Sequence, residues 1–312
     1  MAGKSLDLWA SFWAEGYLTT YPAEFAKNYD KGIKSFWFSI FENAPDNARI
    51  LDVCSGNGAI ALLAAEFSSE FNKNFKITAV DLAKVDPKVV IQRYPEFESL
   101  VSKIEFLSGT DIQALSIEEH SFDLILSQFG LEYLNDIGLL NNLAKGLASK
   151  GELILVAHPD TAMARQSLNQ EFEQYKLLDS LNAISRLKKF VRNDASQREM
   201  QVFCRELYQE LSKSLMSRVS PILKQLLEVC QFVLSVNQER FKDGKPKIFK
   251  LFKDIWLNRV LLEQQRKVYQ RFDENSQWFQ ELTEVGFELE EQGEVKRSLN
   301  QLFGQYYRLK PA

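Results

Sequence analysis

The sequence predicts an α/β fold: a mostly parallel sheet covered on both faces by helices, interrupted late by an all-helical insert. Three observations carry that expectation. Between residues 46 and 160, short apolar runs alternate with helical patterns, the arrangement of a parallel sheet buried on both sides. From 161 to 274 no strand pattern survives. After Gly286 two strand-like runs end the chain, joined too closely for a helical crossover and therefore antiparallel.

Taken in order, residues 1–45 are rich in aromatics, Trp9, Phe12, Trp13, Tyr17, Tyr21, Phe25 and Tyr29 among them. They read as two or three short helices broken near Pro22 and ended by Pro45-Asp46. Strands are expected at Arg49–Val53, Lys76–Val80, Ile104–Leu107, Phe122–Leu126 and Glu152–Ala157, with helices at Ala59–Phe67 and Asp136–Ala148 between them. In the insert, Ser196-Gln-Arg-Glu199 is a capping box leading into apolar residues at helical spacing. Ser220-Pro221 reads as a helix start, and Asp243-Gly-Lys-Pro246 as a turn. Ser276–Val285 reads as a helix stopped by Gly286, followed by strands Phe287–Glu291 and Gln305–Lys310. The division expected is 1–45 as an N-terminal helical lid, 46–160 with 275–312 as the ligand-binding α/β domain, and 161–274 as the insert.

Composition narrows the function. The 312 residues are 45% hydrophobic and 26% charged, with formal net charge −4; a protein that coats nucleic acid is expected to be basic. Cys54, Cys204 and Cys230 are far apart and have no histidine pair near them, so neither a disulfide framework nor a metal site is expected. The N-terminus has no apolar signal core, and the most hydrophobic stretch, 220–236, is broken by Lys224 and Glu228. A cytoplasmic protein without a membrane span is the expectation.

The stretch Ile50-Leu-Asp-Val-Cys-Ser-Gly-Asn-Gly58 joins a strand to a helix through glycines and satisfies Gly-x-Gly-x-x-Ala with Ala61, a pattern shared with dinucleotide folds. Asp52, just before the turn, argues against a pyrophosphate and for a ligand carrying positive charge. Asp81, at the end of the second strand, is placed for ribose hydroxyls. The final antiparallel strand is foreign to a dinucleotide half-domain.

Here the sequence resembles the class I methyltransferases that use S-adenosylmethionine, over residues 46–160 and 275–312. Six stretches carry the resemblance in register: Ile50–Gly58, with Cys54 where the family's first glycine usually stands; Val80-Asp81-Leu82; Gly109-Thr-Asp-Ile112; Phe122–Phe129; Leu147–Val156, through the turn Leu147–Gly151; and Leu282–Phe287. The resemblance implies a Rossmann-like seven-stranded sheet with one antiparallel strand, and S-adenosylmethionine as cofactor. It implies a cofactor site of Asp52, Cys54, Ser55, Gly56, Asn57, Gly58, Asp81, Leu82, Asp111, Ile112, Gln128 and Phe129. A lid bearing a Tyr-Asp pair, here Tyr29-Asp30, would add Tyr29.

Methyl transfer asks mainly for alignment and exclusion of water, and for a base only when the acceptor must lose a proton. His158 is the expected base, since its side chain titrates near neutrality; His120 lies at the opposite edge of the sheet. Glu132, Tyr133 and Asp160, with the lid aromatics Trp13, Tyr17 and Phe25, are expected to face the acceptor. The segment after strand four lacks the Asn/Asp-Pro-Pro motif of base-methylating enzymes, and no magnesium site is suggested. The insert carries 21 Lys and Arg against 14 Asp and Glu, an excess of seven, while the rest of the chain has an acidic excess of eleven. Lys242, Lys245, Lys247, Lys250 and Lys253 concentrate that charge. The leading expectation is a small-molecule acceptor, acidic or carrier-bound. An RNA or protein substrate gripped by the insert and a non-catalytic cofactor-binding subunit are the alternatives. The insert could also pair two copies of the chain.

Overall fold

A computed structural model describes residues 9–21, 24–134, 137–191, 196–214, 221–274 and 283–312. Seven strands form one sheet in the order β3-β2-β1-β4-β5-β7-β6. They are β1 (Arg49–Val53), β2 (Lys76–Asp81), β3 (Ile104–Ser108), β4 (Phe122–Gln128), β5 (Leu147–Ala157), β6 (Phe287–Ser298) and β7 (Gln301–Pro311). β1 to β5 are mutually parallel where they pair, and β7 is antiparallel to both β5 and β6. The predicted fold class is the observed one.

Before and between the strands the chain forms α1 (Lys31–Asn43), α2 (Ala59–Glu70), α3 (Pro87–Arg93) and α4 (Ile137–Gly146), with α2 against β2 and β3 and α4 against β5. α1 buries Ile33, Trp37, Ile40 and Phe41, a spacing that puts them on one helix face. α2 is apolar nearly all round and almost wholly buried, as befits a helix covered by the sheet on one side and by α1 on another. Reversal of the strand order at β1 and β4 leaves a crevice beyond their carboxyl ends, where ligands of open α/β sheets bind.

By internal contacts the chain forms two compact units, Met1–Asp160 with Gln270–Ala312, and Thr161–Tyr269. The second contains α5 (Ala162–Ser180), α6 (Ala183–Val191), α7 (Gln197–Ser214), α8 (Pro221–Ser235) and most of α9 (Gln238–Glu274). The capping box is formed: the Ser196 N–H donates to Glu199 Oε2 at 2.6 Å, and the Glu199 N–H to Ser196 Oγ at 3.3 Å. Cys204 and Cys230 are fully buried within this unit. Among the described residues, no helix is long and apolar enough to cross a membrane.

Several local expectations are corrected. Asp243–Pro246 is not a turn: α9 runs through it, with Pro246 inside the helix. Phe241, Ile248, Leu251 and Ile255 are buried on one face of that helix, and this packing overrides the local turn chemistry. Gly244 serves contact instead, since a Cβ there would lie 2.3 Å from the Phe232 ring. The turn expected at Leu147–Gly151 belongs to β5, whose register against β4 shifts between Phe122 and Leu124. β6 and β7 are longer than predicted and meet in a tight hairpin. By internal contacts, Gln270–Glu274 of α9 group with the first unit. Pro22, Asp136, Ser220 and most of the helix expected at Ser276–Val285 lie outside the described residues, as do the side chains of Lys242, Lys245, Lys247 and Lys253.

Candidate functional site

The carboxyl ends of β1, β2, β4 and β5 share one edge of the sheet because these strands are parallel. β1 ends in a loop in which Cys54, Gly56 and Gly58 all have positive φ, at 57°, 54° and 82°. Cys54 therefore holds a conformation that a side chain disfavours, which is why glycine suits this position. Its Cβ presses on the β4 loop, where a Cβ on Gly130 would come within 2.5 Å of it. Burial and the carboxylates of Asp81, Glu132 and Asp52 push the Cys54 thiol far up, away from the thiolate form that a nucleophile needs.

Two aspartates organise the loop. Asp81 accepts the Gly56 N–H at 2.7 Å and the Ala83 N–H at 2.8 Å, one bond to each oxygen. Burial raises its carboxyl, and these two bonds work against the rise. Asp52, 1% exposed, accepts the Ala61 N–H through Oδ2 at 3.0 Å, which satisfies an orphan donor of the first turn of α2. Burial pushes its carboxyl up to about 8, offset in part by the Ala61 bond and reinforced by Asp81.

The N-terminal segment lies on this loop. The Trp13 indole covers Gly56 so closely that a Cβ there would fall 2.4 Å from the ring, and Trp9 stacks on Trp13 at 5.9 Å. Gly56→Ala would combine that clash with a left-handed φ costing about 1–2 kcal/mol. It is expected to lower stability in urea unfolding by at least that amount. Asn57, expected among the cofactor ligands, spends both amide protons on the segment: Nδ2 donates to the Trp13 and Tyr17 carbonyls at 2.8 Å each. Its buried Oδ1 has no partner. Asn28 repeats the tie with a 2.8 Å bond to the Ala59 carbonyl.

Further along, Phe25 and Tyr29 are buried and pack edge-on at 5.0 Å. Both meet Phe303 of β7, which also touches Tyr21 and Phe129. Tyr29 faces Gln128 and Thr20, and burial drives its phenol above the ordinary range. The Tyr17 ring receives the Arg93 guanidinium at 4.3 Å. Sequence reasoning missed Phe303 because a hairpin phenylalanine carries no local signal of what it touches.

β4 ends at Gln128, whose Oε1 accepts the Trp37 indole N–H at 2.8 Å and whose buried Nε2 has no partner. Phe129 follows with φ 56°. Next comes a single 3-10 turn, Leu131–Tyr133, which buries Glu132 to 1% exposure. Glu132 Oε1 lies 2.8 Å from His158 Nδ1, at the end of β5, and 3.2 Å from the His158 backbone N–H. A carboxylate only accepts, so Nδ1 carries the proton and Nε2 keeps the lone pair when the ring is neutral. Phe129 and Tyr133 flank the imidazole at ring distances of 4.3 and 5.8 Å. Tyr21, Phe25, Tyr29, Phe129 and His158 are thus gathered by direct ring contacts.

The remaining predicted residues are dispersed. Ser55 lies in the loop, its N–H on the Val80 carbonyl. Ile112 is buried, and Asp111 caps the Gln113 N–H at 2.9 Å. Leu82 is 44% exposed, and Asp160 is exposed. His120 is at the opposite edge, where its Nδ1 meets the Leu147 carbonyl at 2.9 Å. Among the described residues no His/Cys/Asp/Glu group could hold a metal ion.

The edge fits a nucleoside with a charged amino-acid tail. Gly56 and Gly58 leave the loop without side chains. Asp81 stands at the β2 tip, Asp52 lies beneath the loop, and Gln128 at the β4 tip has a buried amide nitrogen without a partner.

Residues 50–151 match the family model of a methyltransferase domain. No curated protein matches the chain. Among solved structures, a TehB-like S-adenosylmethionine-dependent methyltransferase from Corynebacterium glutamicum is similar at 14% identity over 99% of this chain and 100% of that one, TM-score 0.43. A Pyrococcus horikoshii protein is 13% identical over 90% and 88%, TM-score 0.39. In a Haloferax volcanii complex of the Trm112 methyltransferase activator with a methyltransferase, the match is 14% identical over 48% of this chain and spans only 59% of that one, TM-score 0.36. None of these likenesses bears on the acceptor.

Proposed function

We propose that this chain is a class I S-adenosylmethionine-dependent methyltransferase, residues 50–151 matching the family model of a methyltransferase domain, and that it methylates a small-molecule acceptor beneath its N-terminal aromatic segment, with His158 as base. The observation that carries the reading is the buried Glu132–His158 pair, with Nδ1 to Oε1 at 2.8 Å, at the strand ends next to the glycine loop. S-adenosylmethionine, when bound, supplies an electrophilic methyl group on a sulfonium. Asp81 would hold its ribose and Asp52 the ammonium side, along the glycine loop and the Cys54–Ser55 backbone. Ile112 and Asp111 would border the adenine.

The protein's part in the reaction is placement. Trp13, Tyr17, Phe25 and Tyr29 would cover the site and exclude water. Glu132 holds His158 Nδ1–H, so that Nε2 takes a proton from an acceptor hydroxyl, amine or acidic carbon as the new bond to carbon forms. Glu132 also balances the imidazolium that results, and Tyr133 and Asp160 would face the acceptor side. The helical unit, residues 161–274 in this reading, would serve as cap or as contact for a second copy.

The experiment is transfer of labelled methyl from S-adenosylmethionine to separate small-molecule, RNA and protein fractions. Label is expected in the small-molecule fraction and lost in Asp81→Ala. Label in RNA that falls steeply with salt, or label in protein, would move the function to a macromolecular acceptor. Binding of S-adenosylhomocysteine with no label in any fraction would make the chain a cofactor-binding subunit.

A further inference from the structure

The turn that carries Glu132 is held from a distant part of the chain. Arg271, near the end of α9 and within the unit that contains the sheet, donates through Nη1 to the Glu132 carbonyl at 3.2 Å and to the Leu134 carbonyl at 2.5 Å. The carbonyls at the end of a 3-10 turn need partners from outside it. Among the described residues the turn is bonded by Leu131 N–H to Ser127 Oγ at 3.2 Å, Tyr133 N–H to the Gly130 carbonyl and Leu134 N–H to the Leu131 carbonyl, both at 3.0 Å.

The Glu132 side chain has little else to fix it. Oε2 is buried without a partner, and among the described residues Oε1 meets the ring and backbone of His158. Where the carboxylate lies therefore depends on the backbone beneath it. The terminal guanidinium nitrogen carries two N–H groups, so Nη1 alone can serve both carbonyls.

We propose that Arg271 is a positioning residue: by clamping the carbonyls of residues 132 and 134 it sets the place of the Glu132 carboxylate, and so fixes the proton of His158 on Nδ1. The inference rests on the reading of His158 as base, but its test needs no acceptor. Released from the clamp, the turn shifts, the carboxylate leaves Nδ1, and the neutral ring populates the Nε2–H tautomer. A nitrogen that carries a proton cannot accept one.

The chain has only two histidines, so imidazole nitrogen-15 shifts can be assigned with His120→Gln and read at a pH where both rings are neutral. In the wild type, His158 should be in the Nδ1–H form. Arg271→Ala is expected to raise its Nε2–H population several-fold, and Arg271→Lys to give an intermediate ratio, because an ammonium on a flexible stem holds the two carbonyls less firmly than the planar guanidinium. His120, on the Leu147 carbonyl, is the internal reference and should not move. If Arg271→Ala does not fold, the lysine variant decides alone. A wild-type His158 ratio in every folded variant overturns the proposal. Should the ratio shift while His158→Gln still transfers methyl, the clamp stands and the base assignment falls.

Discussion

His158→Gln is expected to slow methyl transfer by about 10²–10⁴-fold, the usual worth of a positioned general base, while S-adenosylhomocysteine binds as to the wild type. Glutamine roughly keeps the shape and can still hydrogen-bond Glu132, so the buried pair is not replaced by a hole. What disappears is the basic Nε2 lone pair, which Glu132 reserves by taking Nδ1–H at 2.8 Å. Glu132→Gln should fall between the two, since a neutral amide still accepts the bond but cannot balance the imidazolium. Single-turnover transfer with the acceptor fraction separates the chemical step from binding. An unchanged rate in His158→Gln would mean that the acceptor loses no proton to this ring.

The second large effect concerns pH and the donor. In the free protein, burial holds the Asp52 carboxyl up at about 8, so it is mostly neutral at pH 7. A ligand bringing an ammonium and a sulfonium to this edge favours the carboxylate. Binding of S-adenosylmethionine near pH 7 should therefore release up to one proton. Its affinity should rise with pH by up to about tenfold per unit, from the linkage of one proton, and level off above about 8. Calorimetry in buffers of different ionisation enthalpy measures the proton directly. Asp52→Asn should bind with no such release. For folding, the raised value has the opposite consequence. The stability this group contributes is complete below its unfolded value near 4 and is lost as pH rises through about 8. The free wild type should thus lose stability relative to Asp52→Asn across that window. Proton-neutral binding, with an affinity flat in pH, would separate Asp52 from the donor.

The sheet was legible because parallel strands buried on both faces must be apolar throughout, as Ile50, Leu51, Val53 and Leu124–Leu126 are. The glycine loop was legible because backbone at positive φ leaves its mark in residue type. Cys54 shows the limit: at φ 57° it occupies a glycine's conformation with no local hint. Direction is harder to read than type. Asn57 was expected to serve the cofactor; its amide points to the Trp13 and Tyr17 carbonyls, and a sequence does not say which way an amide faces. His158 stood out as a lone titratable group near a strand end, but its bond to Glu132 depends on the pairing of β4 with β5. Arg271 left no trace, because its partners lie more than a hundred positions away. Pro246 misled for the reverse reason, its local chemistry outweighed by a buried stripe on α9.

The Asn57 amide has one more consequence. By bonding two carbonyls of the N-terminal segment from within the glycine loop, it makes the order of the segment and the shape of the loop a single equilibrium. Whatever settles one must tighten the other by the same factor, because coupling between two sites is reciprocal. An acceptor that packs on the segment would thereby raise the hold on the methyl donor without touching it, and the departure of either product would loosen the grip on its companion.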